Sequence, residues 1–259
     1  MNILFLGDIS GRLGRDIVKK ILPEWVNKYQ PDIVIANGEN SAGGFGITSQ
    51  TAEDIFSSGV DVITLGNHTY SKSESINLLE NDSRVIRPLN YPAANQGYGY
   101  GIYTARNGEK IAVINLLGRV FLDVVDNPFE KVNDLLKSIE GQCDSIFIDF
   151  HAEATSEKAA MAWMLDGRVT AVIGTHTHVQ TADERVLPNG TAFLSDVGMC
   201  GAYNSILGVK PDIIVDRMLN FGRKKFEIVE SGSSIICGVL ITSDDTGKAV
   251  DILCLSQVF

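Results

Sequence analysis

The chain has 259 residues, 44% of them hydrophobic, with 22 Lys and Arg against 32 Asp and Glu and a formal net charge of -10. That acidity argues against a nucleic-acid scaffold, whose nonspecific affinity would need clustered Lys and Arg, while the apolar share is ample for one large buried core. No segment approaches the roughly 20 apolar residues of a membrane span.

The N-terminal run Ile3-Leu4-Phe5-Leu6 lacks the basic flank and the length of a signal peptide, and it ends at Gly7-Asp8. In residues 13–29, Ile17, Val18, Ile21, Leu22, Trp25, Val26 and Tyr29 recur at three- and four-residue spacing and line one helical face. Pro23 interrupts that face, so either a kinked helix or a shorter helix and a second turn fits. The run Ile33-Val34-Ile35-Ala36 ends at Gly38-Glu39-Asn40. Helices are expected near 48–58, 72–80, 128–140 and 156–166, each followed by a strand-like run that starts near 61, 85, 145 or 169. Helices that separate strands imply crossovers and a substantial parallel component.

Two stretches break the alternation. Residues 98–117 read as paired strands around Arg106-Asn107-Gly108-Glu109, because Asn-Gly favours hairpin turns, and the runs 234–242 and 249–258, split by Asp244-Asp245-Thr246-Gly247, read as a second hairpin. Antiparallel additions of this kind build a second sheet, so a sheet-on-sheet core with helices outside is expected, in one domain spanning 1–259. Residues 199–231, with a helix expected near 211–221, fit least and suggest a cap or a homo-oligomer contact without chemistry of its own. Cys143, Cys200, Cys237 and Cys254 are scattered, without a Cys-x-x-Cys pair, and a reducing cytoplasm is the expected location.

All four histidines sit just after apolar runs: His68 after Gly66-Asn67, His151 after Ile146-Phe147-Ile148-Asp149-Phe150, and His176 and His178 after Ala171-Val172-Ile173-Gly174-Thr175. Residues i and i+2 of an extended segment point to one side, so His176 and His178 are expected to reach one site from such a segment. Singly, each residue has a structural explanation: Asp8 as a turn or helix cap, Glu39-Asn40 as a polar turn before Gly43-Gly44-Phe45-Gly46, His151 as a satisfied, partly buried histidine. Together they place metal-capable or proton-transferring groups at several strand ends, where ligands bind in open α/β sheets. Arg12, the glycine loop, Glu153, Thr155 and Lys158 are neighbours to which no catalytic role is assigned.

The order Asp, Glu-Asn, Asn-His, lone His, His-x-His resembles the metallophosphoesterase (calcineurin-like phosphoesterase) superfamily. The usual pattern there is Gly-Asp-x-His, Gly-Asp-x-x-Asp, Gly-Asn-His, a lone histidine and Gly-His-x-His. Ser10 stands at the first motif's histidine position and Glu39-Asn40 replaces the bridging-aspartate motif. With the segments His151-Ala152-Glu153-Ala154-Thr155-Ser156-Glu157-Lys158 and Gly174-Thr175-His176-Thr177-His178, these departures are similar to the YmdB-like branch. The resemblance implies a four-layer αββα fold, a two-sheet β-sandwich core flanked by helices, and two divalent or mixed-valence transition metal ions, Fe or Mn, with Zn as an alternative. It assigns Asp8, Glu39, Asn40 and His178 to one metal and Glu39, Asn67, His151 and His176 to the other, with Glu39 bridging and His68 as proton donor. The implied activity is hydrolysis of small phosphodiesters, 2',3'- or 3',5'-cyclic nucleotides, by in-line attack of a metal-bridging hydroxide. Neutral Asn and His ligands preserve Lewis acidity that an all-carboxylate cage would quench. An amidohydrolase-type barrel also uses His-x-His, but on its first strand, whereas here the pair arrives fifth. A nucleotide- or partner-binding regulatory protein with a low-turnover metal site is the alternative from another class.

Overall fold

The computed structural model describes residues 1–220 and 225–259. In chain order the elements are β1 (Asn2–Leu6), β2 (Asp8–Ile9), α1 (Gly11–Tyr29), β3 (Ile33–Asn37), α2 (Ser49–Phe56), β4 (Val62–Thr64), α3 (Glu74–Asn81), β5 (Val85–Ile86), β6 (Tyr100–Thr104) and β7 (Lys110–Leu117). They continue as α4 (Pro128–Ser138), β8 (Ser145–His151), α5 (Thr155–Leu165), β9 (Ala171–Thr175), β10 (Arg185–Val186), β11 (Ala192–Leu194), β12 (Met199–Ala202), α6 (Pro211–Asn220), β13 (Ser234–Ser243) and β14 (Ala249–Val258). Residue 221, the last of the helix expected near 211–221, lies outside the described residues.

Two mixed sheets form. One runs β2-β12-β13-β1-β3-β4-β5, with β14 also paired to β13, and the other runs β10-β11-β9-β8-β7-β6. The strands β1, β3, β4 and β5 are parallel neighbours, as are β7, β8 and β9, because helices supply the crossovers. The hairpins β6–β7 and β13–β14 are antiparallel, as their turn residues require, but β13 inserts between β1 and β12 of the first sheet. The second sheet is instead built around β7, β8 and β9.

The continuous apolar runs are explained by burial on both faces. Ile3 and Phe5 of β1, Ile33 and Ile35 of β3, Ile111 and Val113 of β7, and Phe147 of β8 point into the core between the sheets. Their alternate neighbours, Leu4, Leu6, Val34 and Ala36, pack on α1, α2 and α3, while Ala112, Ile114, Ile148 and Phe150 pack on α4 and α5. The result is a four-layer αββα arrangement.

Helix α1 is unbroken through Pro23. Pro23 and Lys19, whose carbonyl loses its intrahelical partner, both lie on the exposed face, so that oxygen is left toward water instead of the core. The strands β2, β10, β11 and β12 are too short for the apolar pattern to reveal.

The ring of Phe147 meets that of Phe5 edge-on at 4.9 Å, and both side chains are fully buried. Phe147→Ala should cost about 3–5 kcal/mol. The expected reading is a lower urea midpoint with unchanged slope, and a loss below about 1 kcal/mol would mean that the two sheets repack freely.

Candidate metal centre

The residues singled out in the sequence stand at or just beyond the carboxyl ends of strands. Asp8 follows β1, Glu39 and Asn40 follow β3, Asn67 and His68 follow β4, His151 ends β8, and His176 and His178 follow β9. Both sheets thus deliver their strand ends to one place.

Four of these side chains converge on one point. His151 Nε2 lies 3.0 Å from Asn67 Oδ1, 3.0 Å from His176 Nδ1 and 3.4 Å from Glu39 Oε2. The outer nitrogens account for the ring protons. His151 Nδ1 is 2.9 Å from Thr175 Oγ1, which donates to Asp149 Oδ1 at 2.7 Å. His176 Nε2 is 3.1 Å from Glu153 Oε2, and His178 Nδ1 is 3.2 Å from the Leu207 carbonyl. Each outer nitrogen therefore has an acceptor of its own, and each inner nitrogen faces the centre, the arrangement that prepares imidazoles to bind a metal once the inner nitrogens are free of protons. Lone pairs packed this closely repel unless a proton or a cation sits among them, so the donor set fits a metal ion. Gly66 makes room for the cluster: a Cβ there would strike Glu39 Oε2 and His151 Nε2.

A second position lies beside the first. Asp8 is fully buried, and its Oδ1 has no hydrogen-bond partner among the described residues. That oxygen is 3.8 Å from His151 Nδ1 and 4.0 Å from His178 Nε2, while Asp8 Oδ2 accepts from the His176 backbone N–H at 3.2 Å. A buried, unpartnered carboxylate oxygen is costly, and a cation would satisfy it. Asn40 turns Nδ2 to His178 Nε2 at 3.1 Å and Oδ1 to His68 Nδ1 at 2.9 Å, so ligation by Asn40 at this position requires its amide to turn over. Glu39 lies between the two positions. Its Oε2 accepts from the His68 backbone N–H at 3.0 Å, and its Oε1 is 3.1 Å from His68 Nδ1.

Burial and the neighbouring charges act differently on each group. Burial raises the Asp8 carboxyl, and His178 and His151 offset this only in part. Burial also raises Glu39, but the His151 charge and the hydrogen bonds from His151 and His68 outweigh it and hold the carboxyl well below its ordinary value. Burial and the neighbouring His151 charge push His176 down to about 3.

One expectation is corrected. His176 and His178 do not lie on an extended segment, because β9 ends at Thr175 and both histidines have positive φ, 101° and 65°. Such backbone costs of order 1–3 kcal/mol per residue and persists only when its surroundings hold it. Asp196 supplies the hold: its Oδ2 accepts from the Thr177 N–H at 3.0 Å, the Thr177 hydroxyl at 2.8 Å and Lys158 Nζ at 2.9 Å, and its Oδ1 accepts from the Gly198 N–H at 2.9 Å. Lys158 and Asp196 are both buried. The imidazoles share a site because a clamped turn directs them.

Residues 199–231 also contribute more than expected, since Leu207, Val209, Phe226 and Ile228 line a cleft of about 460 Å³ with Glu39, Asn40, His68, His176 and His178. Asp149, Thr175 and Glu153, the last lining the cleft beside His176, support the imidazoles, and Lys158 and Asp196 act behind the site. Only their nearness to His151 and His176 hinted at the first three, and nothing in the spacing indicated Asp196.

The fold with this site is that of the metallophosphoesterases. A 5'-nucleotidase precursor from Thermus thermophilus matches in fold at a TM-score of 0.62 with 12% identity, covering 99% of this chain and 54% of that one. A crystal structure of a novel phosphatase from Mycoplasma pneumoniae matches at a TM-score of 0.94 with 35% identity, covering 100% of this chain and 93% of that one. A relative from Bacillus subtilis (strain 168), a 2',3'-cyclic-nucleotide 2'-phosphodiesterase, is 47% identical over 253 residues, 97% of this chain and 95% of the relative. The chain belongs to the YmdB-like protein family, which it matches over residues 4–255.

Thr175→Val removes the link between His151 and Asp149 without touching the converging atoms. Metal affinity should fall about 10–100-fold, measured by titration of the metal-free protein. Unchanged affinity would show that His151 needs no such support.

Proposed function

We propose that the protein is a dimetal-dependent phosphodiesterase that hydrolyses small cyclic nucleotides, 2',3'- or 3',5'-cyclic monophosphates. The observation that carries this reading is the convergence of Glu39, Asn67, His151 and His176, with every outer imidazole nitrogen occupied, beside the unpartnered Asp8 oxygen. The named activity of the Bacillus subtilis relative supports it. Asp8, Glu39, Asn40 and His178 would hold one ion, and Glu39, Asn67, His151 and His176 would hold the other, with Glu39 shared. When bound, two such ions polarise the phosphoryl group and lower the pKa of water, and the mixed N and O donors suit Fe, Mn or Zn.

The protein's own groups supply the rest. Asp8 and Glu39 are the carboxylates of the assigned ligand set, and its remaining members are neutral, so the site keeps net positive charge for a phosphodiester. His68 is anchored through Nδ1 on Glu39 and Asn40, and the edge-on ring of Phe45, 5.1 Å away, limits its rotation. Its imidazolium protonates the departing alkoxide. The cleft volume lies in the usual range of small-molecule sites, and Phe45, Val179, Leu207, Val209, Phe226 and Ile228 give it an apolar half suited to a base and sugar. Residues 1–259 act as a single domain, with part of 199–231 as a cap on the cleft. The free thiols agree with a reducing cytoplasm, and no helix among the described residues is long and apolar enough to cross a membrane.

Glu39→Ala should abolish metal binding and hydrolysis together, measured by metal analysis alongside turnover of an activated diester; a metal-loaded, active variant would refute the shared carboxylate. His68→Asn should slow diesters with alkyl leaving groups by about 10²–10⁴-fold and activated aryl diesters far less. Equal losses on both would remove His68 as the proton donor.

A further inference from the structure

The apolar half of the cleft has a second side. Phe45, Phe226 and Ile228 also line a neighbouring cavity of about 710 Å³, together with Lys72, Lys210 and Lys225. Ile228 fixes this wall in place. Its side chain occupies the space that a Cβ on Gly11 or Gly44 would need, and its segment is hydrogen-bonded through Val229 N–H to the Gly208 carbonyl and Lys210 N–H to the Glu227 carbonyl, each at 2.9 Å.

The charges of this cavity run against those of the chain as a whole. Lys210 is neutralised by Glu227 at 2.6 Å, and Glu230 also lines the cavity, its backbone carbonyl accepting from Arg12 at 3.2 Å. Lys72 has no ion-pair partner among the described residues, and Lys225 acts on Glu227 only at a distance, without closing an ion pair. In a protein of net charge -10, a cavity lined by three lysines against two glutamates, with Lys72 and Lys225 outside any ion pair, forms a local positive site beside the substrate cleft.

We propose that this cavity is a phosphate subsite, and that the substrate is a 2',3'-cyclic nucleotide bearing a second phosphate ester on its 5' oxygen. The proposal rests on the phosphodiesterase reading above. In such a nucleotide the 2' and 3' oxygens belong to the scissile ring, which leaves the 5' oxygen to carry the additional charge. With the cyclic phosphate at the metal centre, the base and sugar lie along Phe45, Phe226 and Ile228, and Lys72 and Lys225 receive the second phosphate. A 5'-monophosphate and the last internal phosphate of a short oligonucleotide offer this same chemistry.

The test compares kcat/KM for adenosine 2',3'-cyclic phosphate, its 5'-phosphorylated form, a dinucleotide ending in a 2',3'-cyclic phosphate, and the same dinucleotide with a neutral methylphosphonate link. One or both of the compounds with a second charged phosphate should be favoured about tenfold, the stronger identifying the source. The advantage should shrink with added salt, and the double variant Lys72→Ala/Lys225→Ala should bring the ratio to about one. Binding of adenosine 3',5'-bisphosphate to the metal-free protein, about tenfold tighter than that of adenosine 3'-monophosphate and equalised in the double variant, reads the contact without catalysis. No advantage for the charged compounds, an equal advantage for the neutral dinucleotide, or an advantage that survives in the double variant overturns the subsite. Failure to hydrolyse any of the four compounds overturns the phosphodiesterase reading itself.

Discussion

The arrangement of this molecule depends on electron pairs brought too close together. Glu39, Asn67 and His176 crowd their ligating atoms to within 3.0 to 3.4 Å of His151 Nε2, while Asp8 keeps an oxygen buried without a hydrogen-bond partner among the described residues. In water such groups would separate and be solvated. They stay together because each is attached to a strand end or to a turn beside one, and a bound cation would convert their repulsion into attraction. The interlocked apolar layers supply the rigidity that makes the arrangement affordable.

The strand ends were legible because the chemistry follows directly after apolar runs. Leu4 and Phe5, for instance, enter different cores, so no polar residue interrupts the strand until Gly7-Asp8. The same two-sided burial makes Ile146-Phe147-Ile148 continuous before His151. The histidines were therefore conspicuous at the ends of buried segments.

Less visible was what holds those groups. The His151–Thr175–Asp149 chain is built from ordinary strand residues, and Asp149 interrupts an apolar run without any spacing that distinguishes a support from a ligand. Asp196 lies 19 residues beyond Thr177, the centre of the histidine turn that it secures, and it also holds a buried lysine, Lys158 of α5. Positive φ at His176 and His178 could not be anticipated either, since non-glycine residues are rarely placed there. Local patterns disclose what a strand carries, while tertiary hydrogen bonds decide how it is aimed.

The position of β13 has a consequence for the order in which the protein is made. This strand, Ser234–Ser243, pairs on one side with β1 and on the other with β12, so it completes the sheet whose N-terminal strand leads into Asp8. Until it leaves the ribosome, β1 has an open edge and β12 lacks its link to β1. Most of the chain is synthesised between Asp8 and the strand that secures its sheet, so a growing chain can present its histidines long before it can gather them at one site.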